Sequence, residues 1–137
     1  MKKSSRYDVS SLVETQFEPG SRGRILRNLL GITRVREMNR VEAVALQSAM
    51  DRFFRRVDEE HRFTAEDIHE MHRDWLGGIY PWAGEYRRVN VTKGNFMFAA
   101  AARIPALMQD FEKGVLARCT PCRFPDRAKV AEALAEV

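Results

Sequence analysis

Histidines and cysteines are the residue types here that most often carry chemistry, and both occur in short clusters. His69, Glu70 and His72 read His-Glu-x-His within a predicted helix. The metalloprotease motif places its two histidines at i and i+4, so that both reach one zinc ion, and the spacing here is different. We therefore interpret these three residues as ordinary helix residues rather than a metal site.

Cys119 and Cys122 form a Cys-x-x-Cys motif, which is half of a typical zinc site. No second pair of ligands stands at metal spacing elsewhere in the sequence. A redox motif is expected at the start of a helix after a strand, whereas this one follows a predicted helix and precedes a proline-containing loop. We interpret it as a helix-exit turn with two half-buried thiols.

No other arrangement of residue types indicates a catalytic centre. The sequence has no Ser-His-Asp, Cys-His or paired-carboxylate pattern above chance spacing, and no glycine-rich phosphate loop of the common types. From residue types alone we assign no catalytic residue and no metal ligand.

The element that must position any site is a predicted β-hairpin over about residues 86–98. Residues 87–91 alternate long polar and β-branched side chains, residues 96–98 are short and aromatic, and Gly94 and Asn95 between them tolerate positive φ. A two-stranded hairpin is marginal by itself in water, so we expect it to lie against helices and to leave a strand edge open. An open edge can accept an extended peptide from another protein, and a purely structural hairpin that covers a core is the alternative.

The rest of the sequence predicts one mainly α-helical domain that follows an irregular segment at residues 1–36. Apolar residues at helical spacing predict helices over about residues 37–57, 64–76, 104–116 and 126–137. Thr64 is the predicted N-cap of the second helix, in a capping box with Asp67. The last helix ends on an apolar stripe without a C-cap, so we expect the sequence to be a truncated piece of something longer.

Charge and hydropathy limit the partners. The 137 residues carry a net charge of +4 with a pI near 9.4, and acidic residues interleave with several of the arginine groups. This pattern is typical of a solvated surface, so nucleic acid is an unfavoured partner, although a basic nucleic-acid-binding domain stays an alternative. No apolar run reaches the length of a membrane span and no signal-peptide core follows the basic N-terminus, which favours a cytoplasmic protein without a membrane partner.

The region around the predicted hairpin resembles the Fic/DOC family. Residues 79–87 read Ile-Tyr-Pro-Trp-Ala-Gly-Glu-Tyr-Arg, and residues 89–99 read Val-Asn-Val-Thr-Lys-Gly-Asn-Phe-Met-Phe-Ala. Residues 17–21, 28–32, 61–64 and 72–76 look like the entry segment and the helix that precede this region in many bacterial members. The resemblance therefore covers nearly the whole chain.

This resemblance implies a helical body with one β-hairpin, called the flap, and an activity that transfers AMP from ATP to a hydroxyl side chain of a target protein. It implies that the flap binds an extended target segment by strand pairing, through Val91, Thr92, Asn95 and Phe96. It also implies that Lys93 and Gly94 lie near the bound nucleotide. ATP and Mg²⁺ are the expected cofactors of a full-length member.

The sequence departs from the family pattern at the catalytic loop, which reads His-Pro-Phe-x-(Asp/Glu)-Gly-Asn-x-Arg in the family and does not occur here. In the family the histidine of this loop is the general base, its acidic residue holds Mg²⁺, and its amides and arginine bind phosphates. His61, His69 and His72 lie in other segments and cannot replace it. We expect the 137-residue chain alone to be inactive, and a non-catalytic module that binds a partner strand is the alternative.

Regulation is also implied by the resemblance. Some members carry an inhibitory helix with the pattern (Ser/Thr)-x-x-x-Glu-(Gly/Asn), and Ser10 and Glu14 have the first spacing, but Thr15 follows in place of glycine or asparagine. Without such a helix a separate small inhibitory protein, an antitoxin, is the usual arrangement in the family.

Overall fold

The computed structural model of the protein describes residues 12–137, and these fold into a mainly helical body with one small hairpin. Helix α1 spans Val35–Arg56 and helix α2 spans Ala65–Leu76. The hairpin pairs strand β1 (Thr92–Lys93) with strand β2 (Phe96–Met97). Helix α3 (Ile104–Phe111) continues through a π-helical stretch (Glu112–Leu116) into α4 (Ala117–Cys119), and α5 spans Arg127–Glu136. Short 3₁₀ turns precede α1 and α3, at Val13–Thr15 and Ala101–Arg103.

Helix α2 begins as its sequence predicts. The Asp67 N–H donates to Thr64 Oγ1 at 3.2 Å, and the Thr64 N–H donates to Asp67 Oδ2 at 2.8 Å, which completes the capping box. Although partial burial raises the pKa of Asp67, the hydrogen bonds from Thr64 and from His61 lower it overall. The helix start is therefore tied to an ionised carboxylate.

The main core lies where α1, α2 and the segments beside them meet. It contains one buried side chain of α1, one of α2, and residues of the two irregular segments that precede and follow these helices. Its buried members are Ile25, Ile32, Met38, Leu76, Ile79, Tyr80 and Ala83.

An apolar groove of about 670 Å³ lies along the later part of α1 and α2, lined among others by Phe53, Phe63, Met71 and Phe111. Phe53 and Phe63 stack with their ring centroids 5.9 Å apart.

The predicted hairpin differs from the structure in two respects. The predicted hairpin covered residues 86–98, but its paired strands cover only Thr92–Lys93 and Phe96–Met97. On either side of them, backbone groups bind side chains instead of a neighbouring strand; these are the Arg88 N–H, the Val89 and Ala99 carbonyls and the Ala101 N–H. The prediction that the hairpin lies against helices is wrong, since residues 91–100 are all exposed. The third helical segment also continues past residue 116 to Cys119.

No helix within residues 12–137 combines the length and the apolar character that crossing a bilayer requires.

Candidate target-docking hairpin

The hairpin places all six residues of the predicted site in one ribbon. Thr92 faces Met97 and Lys93 faces Phe96 in antiparallel register, with a two-residue loop between them. Gly94 has a φ of 58°, which a glycine adopts at low cost at the first loop position, whereas Asn95 does not need positive φ. The twist of such a loop matches the twist of the flanking strands.

The hydrogen-bond pattern of the ribbon leaves specific backbone groups free. The Phe98 N–H donates to the Val91 carbonyl at 3.1 Å, so Val91 and Phe98 form a hydrogen-bonded pair. Because such pairs alternate along an antiparallel ladder, Thr92 and Met97 form the next, non-bonded pair. Their N–H and C=O groups therefore point away from the hairpin, one set on each edge, where an added strand would bind them.

Apolar side chains accompany these free edges. Phe96 is 63% exposed and Met97 is 74% exposed. The rings of Phe96 and Phe98 contact each other edge to face, with centroids 5.0 Å apart. Exposed aromatic and methionine side chains next to unpaired strand edges are typical of a surface that binds another protein.

Lys93 and Gly94 lie at the tip of the ribbon. Both are exposed, and the Lys93 amine has no hydrogen-bond or ion-pair partner in the described part of the chain. A Cβ added to Gly94 would meet open space. The tip therefore carries one free positive charge on a short turn, which suits contact with an anionic group but does not form a closed pocket.

The base of the ribbon is held by side chains that the sequence did not indicate. The Arg87 guanidinium donates to the Val89 carbonyl at 2.5 Å and to the Ala99 carbonyl on the returning chain. Asn90 Oδ1 accepts a hydrogen bond from the Ala101 N–H at 2.8 Å. Arg87 and Asn90 thus join the two ends of the hairpin, and only their position just before a predicted turn could have suggested this role.

The segment before the hairpin is fixed to α2 by two histidines. The Gly84 N–H donates to His72 Nδ1 at 2.8 Å, and His69 Nδ1 donates to the Gly84 carbonyl at 2.5 Å. Gly84 is buried with a φ of 83°, and a Cβ there would lie 2.9 Å from Arg73 Nε. Glycine is required at this position because the backbone has a positive φ and because a Cβ would collide with Arg73. The two histidines bind the backbone of this glycine rather than a metal.

The two histidines also contact aromatic rings of this segment. His69 meets the ring of Tyr86 edge to face at 4.3 Å, and His72 lies 6.0 Å from Trp82. Burial lowers the pKa of His72, and the charge of His69 lowers it further. A neutral His72 is required here, because its Nδ1 accepts the hydrogen bond from Gly84.

Glu42 on α1 provides the second anchor of this segment. The Tyr80 hydroxyl donates to Glu42 Oε1 at 2.7 Å, and Trp75 Nε1 donates to the Glu42 carbonyl at 3.0 Å. Tyr80 stacks on Trp82 with centroids 4.6 Å apart. Helices α1 and α2 together therefore hold residues 80–84 rigidly, and the hairpin leaves the body from this support.

The predicted inhibitory pattern lies partly outside the described residues, because Ser10 precedes residue 12. Glu14 belongs to the turn Val13–Thr15 and accepts hydrogen bonds from the Arg88 N–H at 2.8 Å and from the Arg88 guanidinium at 3.4 Å. Its carboxylate therefore contacts the chain just before the hairpin.

The cysteine motif lies at the end of α4 as its interpretation as a helix-exit turn predicts. Cys119 is the last residue of the helix and is buried, and Cys122 Sγ donates to the Cys119 carbonyl at 3.1 Å. Burial raises the pKa of Cys119, and the neighbouring Glu136 raises it further. A protonated, buried thiol at this position is not a nucleophile.

Comparison with known proteins identifies the family. The family model described as Fic/DOC family matches residues 62–136, which is more than half of the chain. The chain is 31% identical over 101 residues to the protein adenylyltransferase VbhT of Bartonella schoenbuchensis, and the match covers 72% of this chain and 20% of that protein. The chain thus spans a fifth of the length of this relative. The matched region includes α2, the segment around Gly84 and the hairpin, and the chain belongs to the Fic/DOC family.

Proposed function

We propose that this chain is the target-docking part of a Fic-type protein adenylyltransferase, which transfers AMP from ATP to a hydroxyl side chain of another protein. The reaction class is supported by the similarity to VbhT, which is a protein adenylyltransferase. The docking role is inferred from the hairpin, which is anchored at its base by Arg87 and Asn90 and exposed along residues 91–100.

In this proposal the target segment lies along one edge of the hairpin as an added strand. The outward N–H and C=O of Thr92 or of Met97 bind the target backbone, and Val91, Asn95 and Phe96 contact its side chains. Main-chain hydrogen bonds supply affinity without requiring one sequence. Holding the target extended also fixes the position of its hydroxyl, which is what a transfer reaction requires of a docking surface.

For the nucleotide, the chain offers two residues at the tip of the hairpin. Lys93 and Gly94 are the proposed neighbours of the ATP phosphates, through one amine and one open turn. Within residues 12–137 no group of three or more His, Cys, Asp or Glu side chains could hold a metal ion. The family loop that supplies the general base and the metal ligand is absent from the printed sequence, and we propose that the 137-residue chain alone does not catalyse transfer.

Two further elements of the proposal concern the setting of the protein. We propose a cytoplasmic location and a separate small inhibitory protein as partner, as in a toxin–antitoxin pair. The alternative function is a non-catalytic module in which the same hairpin binds a partner strand and no AMP is transferred.

A transfer assay tests the reaction. The purified chain is incubated with ATP labelled at the α-phosphate, Mg²⁺ and a bacterial lysate, with the relative VbhT as positive control. We expect labelled protein in the control and none with this chain. Mg²⁺-dependent labelling by the chain alone would contradict the proposed inactivity.

Photo-crosslinking tests the docking role separately. A benzophenone amino acid replaces Asn95 at the tip, and a second variant carries it at the exposed Ala131 on α5 as a matched control. We expect a discrete crosslinked protein only from position 95. Thr92→Pro and Met97→Pro each remove the outward N–H of one edge and leave the ladder bonds of the hairpin intact. Because the target strand binds one edge, one of these two variants should abolish the crosslink. Equal crosslinking from both positions, or no effect of either proline, would refute strand addition.

A further inference from the structure

The positive charge of the chain is concentrated in one segment far from the hairpin in sequence. Residues 19–40 contain six arginines and one glutamate, a net charge of +5, whereas the whole chain carries +4. The remaining residues are therefore close to neutral. Such asymmetry creates a local positive potential that attracts anions. The six arginines are Arg22, Arg24, Arg27, Arg34, Arg36 and Arg40.

Four of these arginines line one cavity of about 400 Å³. Arg22 and Arg24 approach it from the loop before Ile25, and Arg34 and Arg36 approach it from the start of α1. Among the described residues that line the cavity, none is acidic. None of the four guanidinium groups has a hydrogen bond or ion pair with another residue of the range 12–137, so their donors are available to a ligand.

Buried polar side chains fix both walls of this cavity. Ser21 is buried and its hydroxyl bonds the Ile25 carbonyl at 3.3 Å and accepts from the Ile25 N–H at 3.4 Å. Asn28 is also buried, and its amide bonds both the N–H and the carbonyl of Ile32 at 3.0 Å. The backbone that carries the two arginine pairs is therefore held in place before any ligand arrives.

The start of α1 adds to the field of the four arginines. Helix α1 is 22 residues long, and Arg34 at its N-cap makes no side-chain capping bond. Residues 34–36 at the start of the helix line the cavity, so the positive end of the helix dipole lies beside it. Glu37 in the first turn opposes this field with one carboxylate, but it is outnumbered by the arginines at the cavity wall.

We propose that this cavity binds a small oligophosphate, with one arginine pair on each of two neighbouring phosphate groups. Guanidinium groups bind phosphate oxygens through paired, charge-assisted hydrogen bonds, and two arginine pairs on two fixed backbone segments fit a phosphate chain better than a single phosphate. The cavity is local, because its lining comes from two short segments at residues 20–24 and 33–36, and this favours a compact ligand over the backbone of a nucleic acid. This site is separate from the residues proposed to meet ATP at the hairpin.

Calorimetric titration of the whole chain with inorganic tripolyphosphate tests the proposal. The cavity variant is Arg34→Gln/Arg36→Gln, and the matched control Arg27→Gln/Arg40→Gln removes the same charge from the same segment outside the cavity. We expect the cavity variant to raise Kd about 10-fold or more and the control to raise it less than about 3-fold. Thermal unfolding of both variants verifies that each is folded.

Two comparisons complete the test. ATP is titrated alongside tripolyphosphate into the parent and the cavity variant. A larger loss of affinity for ATP than for tripolyphosphate in the cavity variant identifies a nucleotide as the source of the phosphates, whereas equal losses identify the phosphate chain alone. A single-stranded oligonucleotide is titrated at about 50 and about 200 mM salt. The proposal fails if the cavity and control variants lose affinity equally, or if the oligonucleotide binds and tripolyphosphate does not.

Discussion

The backbone N–H of Gly84 donates a hydrogen bond of 2.8 Å to Nδ1 of His72, one helical turn from the histidine that binds the carbonyl of the same glycine. Helix α2 therefore holds both polar groups of one residue, and the chain leaves this point for the hairpin. The bond to His72 exists only when the imidazole is neutral, because its Nδ1 acts as the acceptor.

This geometry predicts a pH dependence of stability. The pKa of His72 is lowered in the folded protein, mainly by burial, so the unfolded chain binds the proton more readily. The contribution of neutral His72 to the free energy of unfolding is complete above the pKa of the unfolded histidine, about 6.5. It is lost as the pH falls through the lower pKa of the folded state. We expect the free energy of unfolding, measured with urea, to fall between about pH 7 and pH 5 and to be flat just above pH 7.

The variant His72→Asn separates this effect from other titrations. Its Oδ1 can replace Nδ1 as acceptor and does not titrate, so the fall in stability between about pH 7 and pH 5 should become shallower. The lost ring contact with Trp82 should lower stability at all pH values by a constant amount. An unchanged pH profile would show that His72 does not control it.

Gly84 gives a second prediction, because its φ of 83° and the 2.9 Å approach of Arg73 Nε leave no room for a Cβ. Gly84→Ala should lower the free energy of unfolding by at least about 2 kcal/mol. Gly78→Ala is the control, since Gly78 has open space and should change stability by less than about 1 kcal/mol. Arg73→Ala added to Gly84→Ala should recover part of the loss, and a double variant no more stable than Gly84→Ala would contradict the steric reason.

The sequence predicted those features that depend on neighbouring residues. Thr64 and Asp67 are three positions apart and form the capping box that their types predict. Gly94 forms the tight loop of the hairpin. In each case the interaction closes within one turn of chain, so local residue types suffice.

The contacts that hold the candidate site are different, because their partners are distant in sequence. Tyr80 binds Glu42 across 38 positions, and Gly84 binds His72 across 12. The short extent of the hairpin was also not predictable, because the Arg87 side chain competes for carbonyl groups that a longer strand would have used. Alternation of residue types indicates where a strand is possible and does not reveal such competition.

Tyr80 provides a third prediction. Burial raises its pKa, and the hydrogen bond to Glu42 and the charge of that carboxylate raise it further. The Tyr80 hydroxyl of the folded protein therefore stays protonated at pH values above the pKa of an unfolded tyrosine, about 10. The contribution of this hydroxyl to the free energy of unfolding is lost as the pH rises beyond that value. Tyr80→Phe should remove one tyrosine from the late phase of the phenolate titration followed at 295 nm, a phase to which Tyr86 also contributes because burial raises its pKa too.

The same variant should lower the free energy of unfolding at neutral pH by about 1 to 2 kcal/mol, because Glu42 loses its donor. Glu42→Gln is the matched control, since its amide oxygen can still accept from the tyrosine hydroxyl while the negative charge is gone. The late phase should persist in Glu42→Gln and shift toward lower pH. If both variants titrate like the parent, the contact does not govern the ionisation of Tyr80.

The last prediction concerns the order of the hairpin rather than its stability. The Arg87 guanidinium binds the Val89 and Ala99 carbonyls, which lie on opposite sides of the ribbon, so Arg87→Ala should let the ribbon move while the helical body stays folded. Backbone ¹⁵N relaxation should show order parameters for residues 91–98 falling below about 0.6, with the unfolding free energy changed by less than about 1 kcal/mol. Arg88→Ala is the control, because its exposed guanidinium bonds Glu14 and no other residue of the range 12–137, and its N–H bond remains. An ordered hairpin in Arg87→Ala, or equal mobility in both variants, would show that another contact holds its base.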